Sequence, residues 1–388
     1  MRIFYICYEN LSLQRASTTH IKEVTEHLGK FGVDVILFAP NLGKYKSNTS
    51  VRVVYVPTFK VKFLSEYIYY LCLFFYLFVY QTKLKADVFY VREMGLSITP
   101  ALVGLILRVS HILEINGLVS IDFKGIGISR LKPKIFGFFQ YINFILANKV
   151  ISVSENIKKE LLRIHNAANK IIVIENGVNT ELFYPKDKKE MRDLLKLDQD
   201  CYYLIFVGSF YPHHGVHHII NILNCIIQKL SNVKLITIGS GYLLESAVNL
   251  AKKLELMTHV YFVGEIAYEK IPNYINAADA GIFILTGIGK IYGKSLKLYE
   301  YMACGKPVIT SESCGDFVRE NDIGIVVSEE DYKFAADAII CLLKDTALVN
   351  SLGENGRKLI MNSFTWEITT KKILSVCQTV IENKNNEI

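Results

Sequence analysis

Short β-branched runs alternate with helical stretches along this chain, twice over, which confines it to parallel sheets covered by helices. In the first half the strand candidates are residues 3–7, 33–39, 51–56, 88–91, 112–115, 150–153 and 171–174, with helices between most of them, including 18–31 and 155–164. After ENGVNTELFYP, Pro185 and the charged run 186–189 mark a linker. Strands resume at 203–207, 234–238, 260–263, 281–285, 307–310 and 324–327, and FTWEITTKKILSVCQTVIE is expected to be a last amphipathic helix. At 388 residues the chain is long enough for two domains with full cores. The expected class is α/β, with two Rossmann-like doubly wound domains facing across a cleft and a ligand beyond the carboxyl ends of the strands.

The segment YGKSLKLYEYMACGKPVIT, 292–310, reads as a loop, a short helix and a buried strand. Ser295 is placed to cap the helix, Gly305 to end it in the left-handed conformation, and Pro307 to prevent its continuation. Lys297, Glu300 and Tyr301 fall at i, i+3 and i+4 and share one face. A cation and a carboxylate at a helix start just past a strand suit a phosphorylated, hydroxyl-rich ligand. The competing reading is a surface helix with an i,i+3 ion pair.

This segment resembles the nucleotide-sugar motif of family 4 retaining glycosyltransferases, enzymes of the two-Rossmann-domain GT-B fold. Glu300 and EYMACGKPVI match the second half of that motif, while Tyr292 stands where the family's first Glu is expected. Ser295, Lys297 and Glu300 approximate the family variant Ser-x-x-Lys-Leu-x-Glu-Tyr-Met-Ala. SVSENIKKELL and ENGVNTELFYP resemble further family landmarks. The resemblance implies that the last helix returns to the first domain. The expected division is therefore 1–184 with 364–388 as the acceptor-side domain, and 185–363 as the nucleotide-sugar domain. It also implies transfer of a hexose from a nucleoside-diphosphate sugar to a glycan or polyprenyl- or lipid-linked acceptor, with retention at the anomeric carbon. The setting would be surface polysaccharide or glycolipid synthesis, and no metal is required. Tyr292 and Ser209 depart from the pattern and keep two alternatives open: a catalytically weak nucleotide-sugar-binding subunit and a sugar-nucleotide epimerase.

FVGSFYPHHGVHHIINIL, 206–223, is a strand, a Gly-containing loop and a helix start, a natural diphosphate cradle. The family's Gly-Arg-Leu-x-x-x-Lys-Gly spacing is kept by Gly208 and Gly215, but Ser209 replaces Arg and His214 replaces Lys. The resemblance gives Lys297, Glu300 and His214 the catalytic roles, Glu300 ordering the ribose and Lys297 facing the phosphates. His213, Gly293 and Leu296 complete the expected donor surface. The histidines 213, 214, 217 and 218 invite a metal, but no carboxylate or cysteine lies close in sequence to finish a ligand set, and no metal site is expected. Gly239 and Gly241 form a Gly-x-Gly turn after a strand, without the third glycine and acidic partner of a dinucleotide fingerprint, which argues against a nicotinamide dehydrogenase. Glu265, Ile266 and Thr286 end neighbouring strands on the same side. In the first half, Arg15, Ser17, Arg92, Asn116 and Gly117 occupy plausible acceptor positions, each with a structural role as an equal competitor.

Hydrophobic residues make up 51% of the chain and charged residues 21%, as in a folded protein. The net charge of +7 comes without a Lys/Arg block or nucleic-acid motif, so nucleic acid is not an expected partner. Eight cysteines, none in a Cys-x-x-Cys pair, and an N-terminus entering a strand directly lead to an expectation of reduced thiols, no signal peptide and a cytoplasmic location. IYYLCLFFYLFV, 68–79, with Lys60, Lys62, Lys83 and Lys85 around it, and IFGFFQYINFILA, 135–147, are too short to span a bilayer. They read either as buried helices or as a peripheral contact with anionic lipid at the inner face of the cell membrane.

Overall fold

The computed structural model describes residues 1–13, 15–42, 49–58, 64–118, 131–164 and 167–386, without the side chains of 131–133, 292 and 385. Lys60 and Lys62 lie outside the described residues, as does the side chain of Tyr292.

The chain divides into two compact units, Met1–Asn176 with Trp366–Ile388, and Gly177–Thr365. The boundary falls before Gly177 rather than at Pro185, for a packing reason. Val178 and Phe183 are buried in the apolar core of the second unit, and Lys186 donates its backbone N–H to Asn276 Oδ1 at 2.8 Å.

The first unit contains β1 (Arg2–Ile6), β2 (Asp34–Pro40), β3 (Arg52–Val56), β4 (Val88–Arg92), β5 (Ser110–Ile115), β6 (Lys149–Ser152) and β7 (Ile171–Val173). They form one sheet in the order β3-β2-β1-β4-β5-β6-β7, every pairing parallel. The second unit contains β8 (Tyr202–Val207), β9 (Val233–Ile238), β10 (Val260–Gly264), β11 (Ala280–Phe283), β12 (Val308–Thr310) and β13 (Gly324–Val326). Their order, β10-β9-β8-β11-β12-β13, repeats the doubly wound pattern, again wholly parallel.

The apolar strand runs follow from burial on both faces of such sheets. Along β8, Leu204 and Phe206 enter one core while Tyr203, Ile205 and Val207 enter the other. The direction of winding reverses between β1 and β4 in one sheet and between β8 and β11 in the other. In open parallel sheets that reversal leaves a crevice at the carboxyl ends, where ligands bind.

Candidate active site

Most of the donor-side residues collect at the carboxyl edge of the second sheet, around the β8/β11 reversal. Gly293, at φ 64, turns the chain into Ser295, whose extended backbone opens the helix Leu296–Ala303. The helix closes through Gly305, at φ 68, whose N–H reaches Met302 O at 2.9 Å while Lys306 N–H reaches Tyr301 O at 3.0 Å. Those two bonds satisfy the last carbonyls and aim the chain into β12. Ser295 takes the cap position, but its hydroxyl does not bond to the helix. It is buried and unpaired, contrary to the expected side-chain cap.

Nor is this a surface helix. Leu298 to Ala303 are all buried, and the Tyr301 hydroxyl accepts the Val207 N–H at 2.8 Å, so Tyr301 belongs to the core rather than to a ligand. Lys297 is partly exposed as a residue, yet its ammonium runs past the rings of Phe283 and Phe206, 5.1 and 5.7 Å from their centroids. Burial pushes its pKa down to about 8, with Glu300 pulling the other way. Glu300 is buried and accepts the Tyr268 hydroxyl at 2.8 Å on Oε1. Its own pKa rises to about 7, because burial outweighs that hydrogen bond and the Lys297 charge.

Gly208 follows β8 directly beneath the Lys297 ammonium: a Cβ there would sit 2.5 Å from Nζ. Gly239, at φ 127, lies so close that its Cβ would meet Gly208 O at 2.1 Å. Phe210 N–H donates to Ser240 O at 2.9 Å, and Gly241 packs on the Phe210 backbone. The two turns thus lie main chain against main chain. Ser209 contributes its carbonyl, 2.6 Å from His214 Nδ1, rather than a cation. With Nδ1 donating to that carbonyl, Nε2 accepts from the Lys297 ammonium at 3.4 Å. Burial and the Lys297 charge push His214 down to about 3, so the imidazole is neutral at pH 7.

Gly215, at φ 61, starts the helix Val216–Ile227 against the Ile284 backbone. Thr286 locks β11 to this loop, its Oγ1 donating to Pro212 O at 2.8 Å and its N–H to His213 O at 3.1 Å. His213 stacks on Tyr211, with ring centroids 6.0 Å apart. His217 meets Ser246 and His218 meets the Glu329 carbonyl, so the four imidazoles serve different partners. Leu296 is half-buried. Gly239 N–H also bonds Gly264 O at 2.9 Å, bringing the turn of Glu265 and Ile266 alongside; Glu265 is exposed, and Ile266 packs on the core.

In the first unit, Arg92 and Asn116 converge on a residue that pattern reading passed over. Glu114 is buried at the end of β5 and takes Arg92 Nη1 at 3.0 Å, Asn116 Nδ2 at 2.6 Å, His20 Nε2 at 3.0 Å and the Tyr90 hydroxyl. Burial would raise its pKa, but His20, Arg92 and Tyr90 together hold it well below the usual carboxylate range. A glutamate inside the apolar run HILEI was the available signal. Gly117 O accepts from Gln140 Nε2 at 3.4 Å. Arg15, exposed, and Ser17, half-buried, open the helix Ala16–Lys30 instead of joining this network.

A family model described as Glycosyl transferases group 1 matches residues 187–359, and one described as Glycosyltransferase Family 4 matches residues 17–182. The capsular polysaccharide biosynthesis glycosyltransferase CapM of Staphylococcus aureus is 28% identical over 255 residues, covering 63% of this chain. That match spans 65% of CapM, less than two thirds of its length. Among solved structures, a sucrose-phosphate synthase from Thermosynechococcus elongatus has a TM-score of 0.80 at 20% identity, covering 98% of this chain and 99% of that one. Anabaena HepE in complex with UDP-glucose has a TM-score of 0.76 at 16% identity, covering 98% and 100%. At such identities the structural likeness is one of fold.

Proposed function

We propose that this chain, which has the GT-B fold and matches a glycosyltransferase family model in each half, is a family 4-like glycosyltransferase that transfers a hexose from a nucleoside-diphosphate sugar to a hydroxyl of a glycan or lipid-linked acceptor. The observation that carries the reading is the Lys297–Glu300 helix start stacked over the Gly208 turn at the β8/β11 reversal. The Glu300 carboxylate accepts from a ribose diol. The Lys297 ammonium and the backbone around Gly208 and Gly239 face the diphosphate. In the reaction the bond from the anomeric carbon to the diphosphate breaks and a bond to the acceptor oxygen forms. Negative charge grows on the leaving diphosphate, and a preorganised ammonium stabilises it without reorganisation.

Neutral His214 accepts from Lys297 and so holds the ammonium over the turn, which recasts the role expected of the family's Lys at this position. Lys297 thus supplies the charge that a metal ion provides elsewhere, and the reaction proceeds without one. Retention at the anomeric carbon is supported by the motif resemblance, and a setting in surface glycan synthesis by the likeness to CapM. Arg92 and Asn116, held by Glu114, border the acceptor side.

The test is nucleoside-diphosphate release from a panel of UDP-, GDP-, ADP- and dTDP-sugars, beginning with UDP-glucose, with EDTA present and with extracted membrane glycolipids as acceptor. One donor class should be consumed in an acceptor-dependent manner, with proton NMR showing the donor's anomeric configuration kept. Donor binding without turnover would favour the non-catalytic subunit, and an epimerised nucleotide sugar would favour the epimerase.

A further inference from the structure

The first unit exposes an apolar face that the donor chemistry does not use. The helix Ser65–Leu84 buries Tyr69, Tyr70, Leu73 and Leu77, yet its opposite side is also apolar, with Leu71 63% and Phe75 59% exposed beside Phe78 and Val79. It packs against the helix Thr99–Ile106, where Leu105 is 66% exposed and Ile106 also faces solvent. That helix in turn packs against Leu131–Leu146, which exposes Ile135, Phe138 and Ile145. Helices that are apolar all round are normally enclosed, and contiguous exposed apolar surface marks an interaction site. No helix among the described residues is long and apolar enough to cross a membrane.

The charges on these three helices are cationic apart from one. Residues 67–86, 94–113 and 131–154 contain no Asp or Glu, and the helix Ser65–Leu84 carries a single acid, Glu66, in its first turn. Exposed Lys83, Lys85 and Arg108 lie at or just beyond the ends of two of these helices, and exposed Lys134 lies near the start of the third. An apolar, aromatic middle with cations at its ends is the complement of an anionic bilayer surface. A second copy fits poorly, because a two-fold pairing would set like charges against each other.

We propose that this three-helix face docks the protein on an anionic lipid bilayer, its aromatic and aliphatic side chains entering the headgroup region and its Lys and Arg meeting lipid phosphates. The face also adjoins the carboxyl edge of the first sheet. Ser65 Oγ is 2.9 Å from the Tyr8 hydroxyl just past β1, and Tyr70 donates its hydroxyl to Met94 O at 2.6 Å just past β4. Gln140 reaches the Gly117 carbonyl past β5. Docking therefore brings the loops of Arg92, Asn116 and Gly117 to the membrane surface.

The experiment is co-sedimentation of the purified chain with vesicles of phosphatidylcholine alone, or of equal parts phosphatidylcholine and phosphatidylglycerol. Wild type should pellet with the mixed vesicles, weakly with phosphatidylcholine, and less in high salt. The double variant Leu71→Glu with Phe138→Glu should stay in the supernatant with an unchanged melting temperature, because both side chains are exposed. Lys83→Glu with Arg108→Glu should weaken binding by about 30-fold or more, at about 1 kcal/mol for each cation lost. Phe334→Glu, 63% exposed in the second unit, should pellet as wild type does. No binding to mixed vesicles, or equal binding by the Leu71 and Phe138 variant, would overturn the proposal. A dimer by light scattering that the same variant abolishes, without vesicle binding, would assign the face to a second copy. Donor turnover without acceptor should be the same in all these variants, so this test stands apart from that of the transferase reading.

Discussion

Replacing Lys297 by Met should stabilise the free protein and weaken its hold on nucleoside diphosphates, two effects of opposite sign from one side chain. The ammonium's pKa falls from an ordinary 10.5 to about 8 because burial disfavours the charge. Below pH 8 the folded state therefore carries a charged group that the unfolded chain would hold more comfortably, and stability rises only as pH climbs from about 8 towards 10.5. At about 1.4 kcal/mol per pKa unit the cost is about 3 kcal/mol at most. The residue's partial exposure reduces it to about 2 kcal/mol. Met keeps the length and apolar stem without the charge. The comparison belongs at pH 6, where Glu300, raised to about 7, is mostly neutral and loses little when its cation goes. The melting transition of the second unit should then rise by about 4–8 °C. A charge-assisted hydrogen bond to phosphate contributes about 1.5–3 kcal/mol, so titration calorimetry with the preferred nucleoside diphosphate should show an affinity loss of about 10- to 100-fold. A variant that melts lower and binds nucleotide like wild type would make Lys297 a structural residue rather than a phosphate contact.

Gly208→Ala puts a Cβ 2.5 Å from the same ammonium, at a backbone φ of 155. It should cost about 1–3 kcal/mol in stability and lower nucleoside-diphosphate affinity at least about tenfold, read by melting and calorimetry. Glu300, neutral in the folded state up to pH about 7, contributes stability that is full below its ordinary pKa near 4.5 and lost as pH rises to 7. The melting temperature should therefore fall over that window and recover above pH 8 as Lys297 loses its proton, and Glu300→Gln should flatten the fall. Glu114→Gln leaves half-buried Arg92 and buried His20 beside a neutral amide and should destabilise the first unit by about 3 kcal/mol in urea titration. Since Glu114 is ionised well below the usual range, the difference from wild type should shrink at strongly acid pH.

The architecture was legible because parallel strands buried on both faces must be continuous apolar runs, and the observed strands lie within two residues of the runs that marked them. The helix of Lys297 and Glu300 was legible for a local reason: its glycine ending and proline stop are written in neighbouring residues. Boundaries that depend on packing were not. Pro185 looked like the linker, but Val178 and Phe183 fill the second core, and a chain's side of a boundary is decided by contacts far away in sequence. The Ser295 hydroxyl has the right type and position for a cap and is still left without a partner. Glu114 was hidden because its partners come from the first helix, β4 and the loop after β5, and no periodicity within β5 announces them. His214 stands where the family's Lys is expected; burial beside Lys297 makes it a neutral acceptor there.

In the proposed site Glu300 holds the donor's ribose diol while Lys297 faces its diphosphate. The most direct measurement compares calorimetric affinity for the preferred nucleoside diphosphate with that for its 2′,3′-dideoxy analogue, in wild type and in Glu300→Ala. Above pH 7, where Glu300 is ionised, wild type should lose about 10- to 100-fold with the dideoxy compound, as expected for a hydrogen-bonded charged group, and Glu300→Ala should bind both equally weakly. Equal discrimination by both proteins would place the ribose elsewhere and contradict the site.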